Sequence, residues 1–282
     1  DAFRRGTIKA ALIFPPDFGR DLYTPKGTTL QLITDGSDPN TAKTVENYFS
    51  AMVSSYQQEL NPTLRQPYQI MVENRMLYNE EQNGSMNFVP GVIALVFMIV
   101  STALTSVAVV REKELGTMEI LLVSPFNPLK ILVAKAVPYL ILSLINFTVI
   151  LLLSVYMLDV PIRGNLLLLY GESTLFIIIC LSLGLLISTS TSSQQTAMLI
   201  AMMGMMLPTA FFTGFMFPIE NMPLVFQGIS KIFPSSYYYS IVKKVMLKGL
   251  GFSYIWKETL ILITMAVMFL SLAMKKFKIR LE

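Results

Sequence analysis

Residues 111–125 read Arg111-Glu-Lys-Glu-Leu-Gly-Thr-Met-Glu-Ile-Leu-Leu-Val-Ser-Pro125. This charged stretch separates two apolar runs, about 88–110 and 131–157. Each is long enough to cross a bilayer as a helix, for which roughly 20 residues suffice. Arg111, Glu112, Lys113 and Glu114 therefore mark a return to water at a membrane exit. Gly116 can end the incoming helix. Thr117 can cap a new one, with Glu119 in its first turn, where the helix dipole favours an anion. Met118, Leu121 and Leu122 share a face at i, i+3 and i+4, and Pro125 and Pro128 stop the element. The pattern predicts a short helix with charged and apolar faces, held between two spans. Two readings of it are open: an amphipathic turn lying in the headgroups, or a lever that carries force from a soluble partner into the bundle.

Working outward, the rest of the chain is a membrane protein by composition. Of its 282 residues, 53% are hydrophobic and only 14% charged, with a mean hydropathy of +0.57, a balance that soluble domains do not show. Five apolar runs are predicted to span, at about 88–110, 131–157, 165–190, 194–217 and 256–274. The stretch 218–251 holds two segments too short to span, 224–233 and 235–248. In the second, Ile241, Val242, Val245 and Met246 lie apart from Lys243, Lys244 and Lys248, so the stretch reads as a re-entrant or interfacial hairpin. The run 194–217 is rich in methionine and contains Gly204, Pro208 and Gly214; a kinked helix beside a path and ordinary core packing both fit. Glu172 falls within the third run. It either faces the bundle, as intramembrane carboxylates do, or sits in the headgroup layer. Lys275, Lys276, Lys278 and Arg280 place the C-terminus in the cytoplasm, and alternation then puts 111–130 inside and 1–87 outside.

Residues 1–87 read as an α/β unit. Strands are predicted at 7–14, 28–34 and 69–76 and a short helix at 17–22. A longer helix opens with Asp38 as N-cap and Pro39 at its first position. Its Ala42, Val45, Phe49, Met52, Val53, Tyr56 and Leu60 are predicted to share one side. This half carries a net charge of −2 and residues 88–282 a net +6. The basic excess thus belongs to helix ends, where it suits lipid and topology rather than nucleic acid. The absence of histidine removes His metal sites and Ser-His-Asp triads. The single cysteine, Cys180, reads as a small buried hydrophobe. With no carboxylate pair, no metal-spaced cluster and no Gly-x-x-x-x-Gly-Lys-Ser/Thr pattern, no catalytic residue, metal or cofactor is expected in this chain.

The motif Arg111-Glu-Lys-Glu-x-Gly-Thr-x-Glu-x-Leu-Leu122, followed by Ser124-Pro125, resembles the cytoplasmic coupling segment of ABC-2-type permeases, the membrane subunits of one class of ABC exporter. The likeness is to the multidrug-export-like branch with a large extracytoplasmic domain. Other landmarks are Ala11-Leu-Ile-Phe-Pro-Pro-Asp-Phe18, the stretch 34–42, Tyr78-Asn79, Val89-Pro90-Gly91, Gln194-Gln195-x-Ala197-Met198, the stretch 214–223, Phe233-Pro234 and Lys248-Gly249. The branch often carries a lysine where this chain has Ser192.

The resemblance implies a multi-pass protein of a bacterial cytoplasmic (inner) membrane, with one spanning helix and a first strand ahead of Asp1. ABC ATPase subunits, carrying the ATP and Mg, would dock through Arg111, Glu112, Lys113, Glu114, Gly116, Thr117, Glu119, Leu121 and Leu122. A second permease copy would complete a homo- or heterodimer in contact with membrane lipid, with room for a periplasmic adaptor. The hairpin 218–251 would line the outer mouth of a path that includes Pro208, Gly214, Phe217, Pro218, Glu220 and Pro223. The cargo would be an amphiphile moved outward: a drug, a lipid or a lipid-linked molecule. The competing reading is a membrane-anchored interaction protein whose outer domain binds an envelope partner without transport.

Overall fold

The computed structural model describes residues 2–22, 24, 27–60, 70–79, 83–116 and 128–279, with side chains throughout except at 128–133 and 277–279. The chain divides into two compact units, Asp1–Asn87 and Phe88–Glu282.

The first unit runs α1 (Ala2–Arg5), β1 (Ala10–Ile13), α2 (Phe18–Asp21), β2 (Thr28–Asp35), α3 (Pro39–Leu60) and β3 (Ile70–Leu77). β2 is the central strand, antiparallel to β1 and parallel to β3. A parallel neighbour needs a long crossover, and α3 supplies it. That helix begins where Asp38 predicts, its Oδ1 accepting from Thr41 N at 3.3 Å. Leu22, Leu30, Val53 and Ile70 form the core, with Phe18, Phe49, Leu60 and Val72 packed on it. The predicted helix stripe is only partly inside: Ala42 and Val53 are buried, but Met52 is 62% and Tyr56 46% exposed. A three-stranded sheet covers a narrow face of the helix. Met52 precedes the buried Val53 by one residue, about 100° around the axis, and so falls on the flank.

The second unit contains α4 (Ser85–Glu114), α5 (Pro128–Tyr156), α6 (Leu166–Ser190), α7 (Gln194–Phe212), α8 (Leu224–Ser230), α9 (Pro234–Val242) and α10 (Trp256–Ile279). Among the described residues, five stretches are long and apolar enough to cross a membrane: Ser85–Glu114, Ala134–Tyr156, Leu166–Ser190, Gln194–Phe212 and Trp256–Lys276. The chain is a multi-pass helical membrane protein. The fourth span stops at Phe212, short of the predicted 217. Thr213 turns its hydroxyl onto Thr209 O at 2.7 Å and accepts from Phe215 N at 3.2 Å. Gly214 then adopts φ +84°, which takes the chain out of the helix.

α6 is the hub of this unit. Asn165 caps it, its Oδ1 accepting from Leu167 N at 2.8 Å, and Phe176, Ile177, Ile179 and Cys180 are wholly buried. A Cβ on Gly184 would lie 2.6 Å from Thr102 O and 2.9 Å from Thr105 Cβ, so glycine is what allows α4 to pack this closely. Thr102 Oγ1 donates to Cys180 O across the same seam at 3.1 Å. α4 carries a π turn at Phe97–Ser101. From it Phe97 meets Phe147 of α5 at 5.5 Å and Phe176 of α6 at 6.4 Å. α5, by contrast, exposes Val137, Ile141, Ile145 and Leu152.

The two arms of the predicted hairpin differ. α9 and the π turn after it, Lys243–Leu247, bury Tyr238, Ile241, Val242, Val245 and Met246. The arm is amphipathic as predicted, but it packs against α6 and α10 rather than lying on a surface. Tyr238 stacks on Phe176 at 4.2 Å and shares a 2.7 Å hydrogen bond with Ser173. The other arm, α8, leaves Leu224 and Val225 exposed.

Candidate functional site at the two ends of the bundle

Glu112, Lys113 and Glu114 close α4 in successive positions. Successive residues of a helix point about 100° apart, so three neighbours can face three different helices. Glu112 pairs with Lys135 of α5. Lys113 donates to the carbonyl of Ser188, in the last turn of α6. Glu114 accepts from Gln194 N at 2.8 Å and from the Gln194 side-chain amide, at the first residue of α7.

The last two contacts answer general needs of helix ends. The final carbonyls of a helix lack intrahelical donors and favour a cation; the first amides lack acceptors and favour an anion. Ser193 makes no side-chain cap to α7, and Glu114 supplies an acceptor for the helix's first amide, Gln194 N. Beyond the charges, Leu115 N bonds to Arg111 O and Gly116 N to Lys113 O. Gly116 then leaves the helix at φ +70°, as its place in the motif predicts. Arg111 is exposed. Thr117, Glu119, Leu121 and Leu122 lie outside the described residues.

At the opposite ends of these spans, Pro208 of α7 and Phe217 line one cleft of about 350 Å³. Leu207, Phe211 and Phe212 of α7 complete one wall, and Met222 and Phe226 the other. The hairpin is clipped to α7 by Ser230 Oγ, which donates to Phe212 O at 2.6 Å, and by Phe233, whose ring stacks on Phe212 at 5.7 Å. Gln227 Nε2 donates to Met222 O at 2.9 Å and steadies the loop that carries Glu220. Gly214 forms the turn into the cleft, Pro218 precedes the short helix Ile219–Asn221, and Pro223 precedes α8. Glu172 stands apart from the cleft. It is 4% exposed and packed against α10, where Thr259 Oγ1 donates to its Oε1 at 2.8 Å. Next to Thr259, Glu258 pairs with Lys244 from the turn after α9.

Lys135, Ser188 and Gln194 were not singled out as functional by the sequence. The Gln194-Gln195 motif marked the α6–α7 turn, but its uncharged residues read as a plain connection. The useful signal was the lack of a lysine there: a turn without its own charge has helix ends that need charges from elsewhere.

These observations define a class, a multi-pass helical membrane protein with a small α/β unit and a charged turn that ties span ends together. Residues 1–275 match the family described as ABC-2 family transporter protein, and the chain belongs to that family. It is 34% identical over 280 residues to the probable multidrug ABC transporter permease YbhS of Escherichia coli (strain K12), covering 98% of this chain and 74% of the relative. It is 35% identical over 254 residues to the probable multidrug ABC transporter permease YbhR of the same strain, covering 89% and 69%. It is 27% identical over 286 residues to the inner membrane transport permease YhhJ of that strain, covering 97% and 74%.

Proposed function

We propose that this chain is the membrane subunit of an ABC exporter in a bacterial inner membrane, driven by separate ATPase subunits that hold ATP and Mg. Two permease copies form the path, and an amphiphile leaves through it. The 111–125 stretch faces the cytoplasm and the α/β unit faces outward. The observation that carries the reading is the fan of contacts at the end of α4: three neighbouring side chains hold the ends of α5, α6 and α7. A push on the connection after Gly116 acts through α4 and these contacts on four spans together.

This refines the docking role implied by the motif. Glu112, Lys113 and Glu114 bond within the chain, so they transmit the movement, and the ATPase meets residues after them. The relatives' description as permeases supports transport over a purely adhesive role. The test is copurification of the permease with an ABC ATPase, followed by hydrolysis assays in proteoliposomes. Coupled activity that falls in the Glu112→Lys/Glu114→Lys variant, at normal membrane levels, supports the reading. Full coupling in that variant, or no ATPase partner, removes it.

A further inference from the structure

The cleft between α7 and α8 differs from the usual small-molecule site. Such sites combine apolar walls with a few placed polar groups that fix orientation. Here all seven lining side chains are apolar, so no side chain offers a hydrogen bond to a ligand. A compact drug with polar substituents would lose its water and gain no partner. The space is nonetheless substantial. An apolar cavity of about 150 Å³ stays dry and takes up benzene, and this one is about 350 Å³.

Two further features narrow the occupant. Phe211 and Phe217 lie with their rings parallel, centroids 6.2 Å apart and 3° between planes. Phe212 is stacked with Phe226 at 6.0 Å. The lining between them is apolar throughout, which an alkyl chain matches without needing a polar partner. Leu207, Phe211, Phe217 and Phe226 are also about half exposed, and the exposed face of α7 continues from them through Met203 and Leu199. A flexible chain can thus slide in from the lipid along α7 without crossing water.

We propose that this cleft binds one alkyl chain of a lipid-like amphiphile, entering sideways from the membrane. The proposal rests on the reading of the hairpin as the outer mouth of an export path, and it selects acyl-bearing cargo over compact polar drugs. The test is photolabelling of the full permease in phosphatidylcholine nanodiscs, with a diazirine-bearing stearic acid and, separately, a diazirine-bearing planar aromatic cation. Labelled positions are read by peptide mass spectrometry.

The stearate label should concentrate on residues 207–226, about tenfold above the exposed face of α5, and unlabelled stearate should compete with it. Leu207→Trp and Met222→Trp fill the cleft from opposite walls, and each should remove most of that label. Ile145→Trp on α5 should leave it intact. Equal labelling of α5, or label that survives both filling variants, means general lipid contact and overturns the proposal. So does selective capture of the aromatic probe alone, or a cleft closed to both probes by a second copy crosslinked through Phe226. The labelling needs no ATP. A permease that lacks an ATPase partner yet takes the label loses only the transport reading; one that exports without the label loses only the cleft.

Discussion

At the charged end of α4, Glu112, Lys113 and Glu114 reach three helices, and with Lys135 the group is electrically balanced. At the hairpin end, Glu258 pairs with Lys244, while Glu172 takes a hydrogen bond from Thr259 and its Oε2 meets no hydrogen-bond donor among the described residues. Both ends use neighbouring residues of one helix to hold two or more others. They differ in what the contacts can tolerate. Two contacts of the balanced group are made to the backbone ends of helices, so they can loosen and re-form as those ends shift. The other end keeps a buried carboxylate, Glu172, that makes no ion pair among the described residues, an arrangement that costs stability.

The strongest way to break this contrast is to reverse the balanced end. Glu112→Lys with Glu114→Lys puts cations against Lys135 and the amide end of α7. ATP-coupled transport should fall by about tenfold, roughly 1.4 kcal/mol of coupling, with membrane insertion kept; proteoliposome transport per unit of protein measures it. Exchanging the pair, Glu112→Lys with Lys135→Glu, should return most of the coupling that Glu112→Lys alone removes. If the exchange is as damaged as the single change, the pair does not act as a pair.

The hairpin end should respond to neutral replacement in two directions. Glu258→Gln leaves Lys244 without its counter-charge and should lower stability by about 1–3 kcal/mol. Glu172→Gln removes the surplus charge, keeps an acceptor for Thr259 and should leave the unfolding temperature unchanged or raised. Thermal unfolding in detergent compares the two, and equal losses would erase the distinction between the ends. The smallest effect is expected far from both. Met52→Ser on the flank of α3 should change stability by no more than about 0.5 kcal/mol.

Much of this fold was legible in the sequence because its signals are local. Length and apolarity gave five spans, Asp38-Pro39 gave the start of α3, and Gly116 gave the end of α4. What escaped has a common cause. The partners of Glu112, Lys113 and Glu114 lie far along the chain, at Lys135, Ser188 and Gln194, and no periodicity relates such positions. The early end of α7 depends on the Thr213 hydroxyl and Gly214 turning the chain together, whereas apolarity alone ran on to Phe217. The exposure of Met52 depends on the width of a sheet that helix spacing does not encode. Pro208 and Phe217, singled out in the sequence, line one cleft in the structure, but the enclosing Phe211, Phe212 and Phe226 read simply as apolar chain.

The π turn at Phe97–Ser101 gives the charged fan a hidden dependence. A π turn amounts to one extra residue carried within an α-helix. If α4 relaxed there to regular winding with its residue count unchanged, everything after it would turn by about 100°. Glu112 and Lys113 would each arrive facing a neighbour's partner, and Glu114 would face none of the three. The aim of the three charges is therefore set more than ten residues upstream, by the winding in the middle of the helix: a change that straightens the turn without shortening it misdirects them without altering any of them, whereas deleting its extra residue leaves their aim intact.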